Sequence, residues 1–173
     1  FPFLVILIVM FVSLMISSTL IIFEKNSRAL FRNFLAPISD KAFILASFTT
    51  VLMIVFIQAI VILFIAQFGI KMNLFSNFFS ITLILFVAAI FFIVLGMLMG
   101  HLFSSQEGSV MASLVVGSSF LFISNLVVPL ESVAPALSGI VKYNPFILFS
   151  DLLRQALLFN LPFVDMVLTV AVL

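Results

Sequence analysis

The residues that could carry out chemistry are few in this chain, and they lie far apart. Its 173 residues include seven Lys and Arg, six Asp and Glu, one His and no Cys. His101 and Glu107 are six positions apart and no thiol is available, so the sequence offers no metal site. The H-E-x-x-H and P-loop patterns are absent, and Ser138-Gly139 has no His partner in an apolar segment. We therefore predict no catalytic residue, no metal and no cofactor bound by this chain.

The composition points to lipid as the solvent of the fold. Hydrophobic residues form 65% of the chain and charged residues 8%, whereas soluble domains are about half apolar and about a quarter charged. The apolar residues form long unbroken runs, which favours helices over a barrel of alternating strands. We predict an all-α fold, a polytopic transmembrane helix bundle forming a single domain that is cut at both ends. The predicted spans are about 1–23, 42–70, 78–99, 109–128 and a truncated 162–173.

The segment that joins the first two spans holds four of the seven basic residues. Its apolar residues recur at helical spacing and leave Arg28 and Arg32 on the other face, and Pro37 prevents the helix from continuing. We predict a short amphipathic helix over about 27–36 at the membrane face. The distribution of basic residues favours a cytoplasmic location. Two interpretations stay open, a loop that anchors the spans by charge and a helix that docks onto a partner.

The segment before the last span is too apolar for a solvated loop and too interrupted for a complete span. Asn144-Pro145 divides it, and the residues that follow have one apolar helical face. Asp151 and Arg154 lie away from that face, three positions apart, where they can pair. We predict a re-entrant pair of short helices over about 135–160, which enters the bilayer and returns to the same side.

Polar residues inside the spans have two possible roles. They form packing seams between helices, because small and hydroxyl-bearing residues allow close approach, or they line a transport path. The residues concerned are Gln58, Ser118, Ser119, Ser124 and Asn125. No charged residue lies inside the first four predicted spans, whereas ion-coupled carriers normally keep acids or His there as relays.

Several short sequence motifs lie at the ends of the predicted spans and in the segments between them, in a fixed order along the chain. The acidic-basic pair Glu24-Lys25 directly follows a span, and the amphipathic segment comes next. A glycine-rich span end, at Gly96 and Gly100, precedes a short polar turn, and a small-polar pair and spaced prolines come later. In this order and spacing the chain resembles the permeases of the type-2 export class of ABC transporters, over most of its length.

The resemblance implies roles for particular residues. Coupling to a partner ATPase would involve a cytoplasmic coupling helix with its flanks, at Glu24, Lys25, Arg28, Arg32 and Pro37. The second cytoplasmic turn would carry His101 and Glu107. The outer gate would be the re-entrant pair, with Pro129, Glu131, Pro135, Asn144, Pro145, Asp151 and Arg154.

The resemblance also implies a function. The chain would be the membrane-spanning permease subunit of an ATP-driven exporter of a lipid-like, drug-like or other substrate. An ABC-type ATP-binding subunit would bind ATP and Mg, and two permeases would form a homodimer or pseudo-dimer in contact with membrane lipid. We expect a multi-pass protein of a prokaryotic cell membrane, and no basic face suggests a nucleic-acid partner. The alternative is a channel or secondary carrier without its own ATPase.

Overall fold

The computed structural model describes residues 1–26, 40–69, 77–124 and 143–158, and the regular elements in these ranges are helices. In chain order they are α1 (Pro2–Asn26), α2 (Asp40–Gly69), α3 (Phe78–Leu102), α4 (Gln106–Phe122) and α5 (Pro145–Leu158). The predicted all-α fold is confirmed for these residues.

Three of the helices, α1, α2 and α3, are long and apolar enough to cross a membrane. The 25 residues of α1 rise about 37 Å, which exceeds the ~30 Å of a bilayer's hydrocarbon core. The 17 residues of α4 rise about 25 Å. The first three expected spans fall on α1, α2 and α3. The fourth, expected over 109–128, falls only in part on α4, which is shorter than the hydrocarbon core is thick. The coupling helix expected over 27–36 and the span expected over 162–173 lie outside the described residues.

The centre of the bundle is the parallel pair α1 and α3, whose backbones nearly touch. A Cβ atom at Gly96 would lie 2.6 Å from the carbonyl oxygen of Leu14, and one at Gly100 would lie 2.7 Å from that of Ser18. Such distances are too short for any side chain. Because the two glycines are four positions apart, they share one face of α3, as in other close helix pairs in membranes.

The other helices pack around this pair. α2 lies at the edge, since 22% of its most apolar window is buried, against 56% for α1 and 50% for α3. Its outer face exposes large apolar side chains, among them Met53, Ile57 and Phe64, a surface suited to lipid. α4 approaches α1 where a Cβ at Gly117 would meet the ring of Phe11 at 2.8 Å. In this way α1 contacts all the other described helices.

Helix α5 joins the core through one apolar face, as its sequence predicts. Phe146 and Leu153 are almost completely buried, while Arg154 and Gln155 are exposed. The ring of Phe149 lies 5.9 Å from that of Phe92, a buried residue near the middle of α3. The amino-terminal part of α5 is thus packed against the middle of the bundle.

Candidate functional site

The candidate site is a set of polar side chains at the ends of the helices. The helices α1 and α3 end at the same end of the bundle, which we call the Lys25 end. The opposite end, where α3 begins, we call the Asn77 end. A helix leaves its last four carbonyl oxygens without partners inside the helix, and in lipid each of these would cost several kcal/mol. In this bundle, three side chains from neighbouring segments bond such carbonyls.

Lys25 supplies the first of these contacts, at the Lys25 end. It lies in the last turn of α1, and its Nζ donates hydrogen bonds to the carbonyl oxygens of Gly100 (2.8 Å) and His101 (2.9 Å) in the last turn of α3. The carboxyl end of a helix carries partial negative charge, so a cation is favoured there. Lys25 therefore fastens the end of α1 to the end of α3.

Glu24 makes a matching contact with α2. The hydroxyl of Ser47 donates to Glu24 Oε2 at 2.5 Å, and the Ser47 side chain is buried. Two consecutive residues of α1 thus reach two different helices. Sequence reasoning singled out the Glu24-Lys25 pair but not Ser47, because one serine in an apolar helix carries no signal of its position.

The short turn at the Lys25 end is formed by residues 103–105 between α3 and α4. His101 lies in α3, where its Nδ1 is 2.9 Å from the carbonyl oxygen of Met97. A carbonyl only accepts hydrogen bonds, so Nδ1 is the donor in this contact. Glu107 lies in the first turn of α4, where a negative charge is favoured by the helix dipole. Both side chains are exposed.

Ser105 begins α4 as its N-cap. Its hydroxyl accepts a hydrogen bond from the amide of Gly108 at 3.1 Å. Replacing Ser105 by Ala should destabilise the first turn of α4 by about 1 kcal/mol. In the full-length protein, hydrogen exchange at amides 106–109 should become faster. The neighbouring exposed Ser104, replaced by Ala, is the matched control, and equal exchange in the two variants would contradict the assignment.

Asn144 supplies the second contact and caps two helices at once. Its Oδ1 accepts from the amide of Phe146 at 3.0 Å, which caps the start of α5 directly before Pro145. Its Nδ2 donates at 2.6 Å to the carbonyl oxygen of Phe120, near the end of α4. The amide of Ser124, which would normally bond that carbonyl, is bonded to Leu121 instead. The side chain of Asn144 is buried, so water does not replace these bonds.

Asn77 supplies the third contact, at the opposite end of the bundle. Directly before α3, its Nδ2 donates at 2.6 Å to the carbonyl oxygen of Ala156, in the last turn of α5. Sequence reasoning did not select Asn77, although an Asn before a long apolar run was a usable signal for a helix start. Helix α5 therefore runs from a buried start beside Phe120 to an end beside the start of α3.

Two charged residues of α5 lie on its outer side. Asp151 is half-buried and Arg154 is exposed. Burial raises the pKa of the Asp151 carboxyl, and the positive charge of Arg154 lowers it. The two side chains are thus close enough to interact, as their spacing predicts.

The polar residues of the spans differ in exposure. Ser119 is exposed and donates to the carbonyl oxygen of Val115, while Ser124 donates to that of Leu121. Gln58 and Ser118 are half-buried. The completely buried small residues of α4 are Ser109, Ser113 and Gly117, all on the face towards α1. Among the described helices, α4 thus packs against α1 through a stripe next to Ser119.

Some predicted site residues lie outside the described residues. They are Arg28, Arg32, Pro37, Asn125, Pro129, Glu131 and Pro135. Within the described residues, no group of three or more His, Asp or Glu side chains could hold a metal ion.

A bundle of apolar helices that are long enough to span a membrane defines a multi-pass transmembrane protein. A family model described as ABC-2 family transporter protein matches residues 1–173, so the chain belongs to that family and is a transport permease. Membership implies partnership with an ABC ATP-binding subunit. No curated protein and no solved structure matches the chain.

Proposed function

We propose that this chain couples ATP binding and hydrolysis in a partner ATPase to the export of an apolar substrate. The observation that carries the proposal is the family match over the whole chain. The geometry of the Lys25 end supports it. The 13 residues between α1 and α2 leave from the end at which Glu24 and Lys25 fasten three helices together. A force on this segment would therefore act on the centre of the bundle.

The energy for transport would come from the partner. This sequence has no P-loop, so ATP and Mg would be bound by the ATP-binding subunit. Nucleotide can shift the permease between inward-open and outward-open states only by binding one of them more tightly. The segment 27–36, as a coupling helix, would convey that difference, with Arg28 and Arg32 meeting carboxylates or carbonyls of the ATPase.

Helix α5 suits the second half of a re-entrant gate. Its start is buried beside Phe120, and its end lies beside Asn77 at the start of α3. A helix that begins inside the bundle and reaches one end is what a re-entrant pair requires. Irregular backbone at membrane depth needs partners in the protein, and Asn144 provides them for the start of α5.

An apolar groove between α3 and α5 supports a lipid-like or drug-like substrate. The groove has a volume of about 470 Å³ and is lined by side chains such as Val87, Phe91, Val94, Leu148 and Phe149. Ligand sites in proteins commonly have volumes of about 300–1,000 Å³. A substrate with an acyl chain or fused rings would fit walls of this kind. We place the complex in a prokaryotic cell membrane as a homodimer or pseudo-dimer, in contact with lipid.

A channel or secondary carrier without an ATPase is the alternative. The described parts of the three spanning helices keep their ionisable residues at their ends: Glu24, Lys25, Asp40, Lys41 and His101. A proton- or ion-coupled carrier normally needs such groups at membrane depth. This distribution favours ATP as the energy source.

Charge reversal in the coupling segment tests the proposal. In the full-length permease reconstituted with its ATPase, Arg28→Glu with Arg32→Glu should lower transport-coupled ATP hydrolysis at least about tenfold, because coupling free energies of ~1–3 kcal/mol are typical. Membrane insertion should be unchanged. Lys41→Glu, which reverses one charge at the start of α2, is the control. Unchanged transport in the double variant, or a wild-type protein that binds no ATPase, would count against the proposal.

A further inference from the structure

Lys25 is an exposed basic residue directly before the proposed coupling segment, and its ammonium group is hydrogen-bonded to another helix of the same chain. We propose that Lys25 is a positioning residue that carries movement of segment 27–36 into α3, and that it does not bind the ATPase. This inference rests on the proposed function, and it assigns Lys25 a role different from that of Arg28 and Arg32.

The bonds of Lys25 make it a link between moving parts. Two of the three ammonium hydrogens are taken by the carbonyl oxygens of Gly100 and His101. Binding the ATPase with the same group would leave these carbonyls, at the end of an apolar helix, without their charged partner. The structure therefore favours a contact within the permease.

The surrounding packing makes this link stiff. A Cβ at Gly100 would lie 2.8 Å from the Cβ of Ile21 as well as 2.7 Å from the carbonyl oxygen of Ser18, so the last turns of α1 and α3 are in direct contact. Glu24 ties the same turn of α1 to Ser47 of α2. A displacement applied at Asn26 would be shared by all three helices instead of bending α1 alone.

The movement would continue into α4. Only residues 103–105 separate α3 from α4, and Ser105 caps the start of α4. A connection this short cannot absorb a displacement of several ångströms without moving the next helix. Lys25 thus lies at the one point among the described residues where the end of α1 is charge-bonded to the α3–α4 unit.

The first experiment separates linkage from ATPase binding. Full-length permease carrying Lys25→Met is reconstituted with its ATPase, beside Lys41→Met, which removes an exposed charge at the same end of the bundle. We expect Lys25→Met to retain the ATPase on co-purification and to hydrolyse ATP, but to transport about tenfold less substrate per ATP. Lys25→Arg should keep most of the coupling, because guanidinium also donates to carbonyls.

The second experiment replaces the link with a covalent one. Residues 1–173 contain no Cys. Lys25→Cys is therefore combined with Leu102→Cys, the residue after the His101 carbonyl that Lys25 bonds, for treatment with a flexible thiol cross-linker. Transport per ATP should be low before cross-linking and should recover afterwards, while Leu102→Cys alone should behave as wild type.

Three results would overturn the inference: weaker co-purification of the ATPase with Lys25→Met, unchanged transport per ATP in the inserted protein, or no recovery on cross-linking. If Lys25→Met inserts in lower yield but the inserted protein transports normally per ATP, the role of Lys25 is purely structural and the inference fails. Failure of the proposed function has a different signature, because wild-type permease would then retain no ATPase at all.

Discussion

Replacing Gly96 by Leu should separate α1 from α3 and prevent the full-length protein from reaching its folded state in the membrane. A Cβ at this position would meet the carbonyl oxygen and the Cα of Leu14 at 2.6 and 2.9 Å, besides the hydroxyl of Ser17. Backbone atoms cannot rotate away as a side chain can. We therefore expect the free energy of unfolding to fall by at least about 3 kcal/mol, the upper part of the range for overpacked cores.

The measurement is the thermal unfolding midpoint and the monodisperse yield in detergent. Thr50→Leu is the matched control, since it adds a leucine at an exposed position on α2 and should leave both values nearly unchanged. Gly96→Ala should lie between the two, because the first added carbon already clashes. If Gly96→Leu unfolds at the same temperature as Thr50→Leu, the close contact between α1 and α3 does not exist.

Loss of the Asn144 side chain should have the second largest effect. Asn144→Ala removes the cap of α5, which should lower the stability by about 1 kcal/mol. It also leaves the carbonyl of the half-buried Phe120 without this donor, which should cost about 1–3 kcal/mol more. We expect the free energy of unfolding to fall by about 2–4 kcal/mol in total. Hydrogen exchange should rise at the start of α5 and at the end of α4, and far less in α2.

Asn144→Asp distinguishes the two contributions. A carboxylate can still accept from the amide of Phe146, but it cannot donate to Phe120 and places negative charge beside that carbonyl. Exchange should therefore rise at the end of α4 while the start of α5 stays protected. If both regions respond equally to Asp and to Ala, the double cap is not what holds α4 and α5 together.

Much of the architecture could be predicted from local patterns. Long apolar runs predict helices where α1, α2 and α3 lie, because hydrocarbon leaves a helix as the main way to satisfy the backbone. The apolar face of α5 and the break at Asn144-Pro145 are likewise local properties, since side-chain spacing and the restrictions of proline act within a few residues.

The partners of the polar side chains could not be predicted in this way. Lys25 was expected to take part in coupling to the ATPase, but nothing in the sequence indicated its bonds to carbonyls 75 and 76 positions away. Asn77 and Ser47 attracted no attention as candidates, because their partners, Ala156 and Glu24, lie on other helices. Backbone carbonyls are present at every residue, so no pattern of residue types shows which of them will lack a partner.

By itself, the sequence determined that this chain is a bundle of membrane helices, because apolar length and the spacing of breaks decide what can be solvated by lipid. The transporter class was indicated by the resemblance in the order of its motifs. The tertiary structure decided which helices touch and which are tied at their ends. Gly96 and Gly100 let α1 and α3 meet, and only that contact brings the last turn of α3 within reach of Lys25. The physical reason is that the last carbonyls of a helix need donors from outside the helix, and which donors are in reach is set by packing between distant segments.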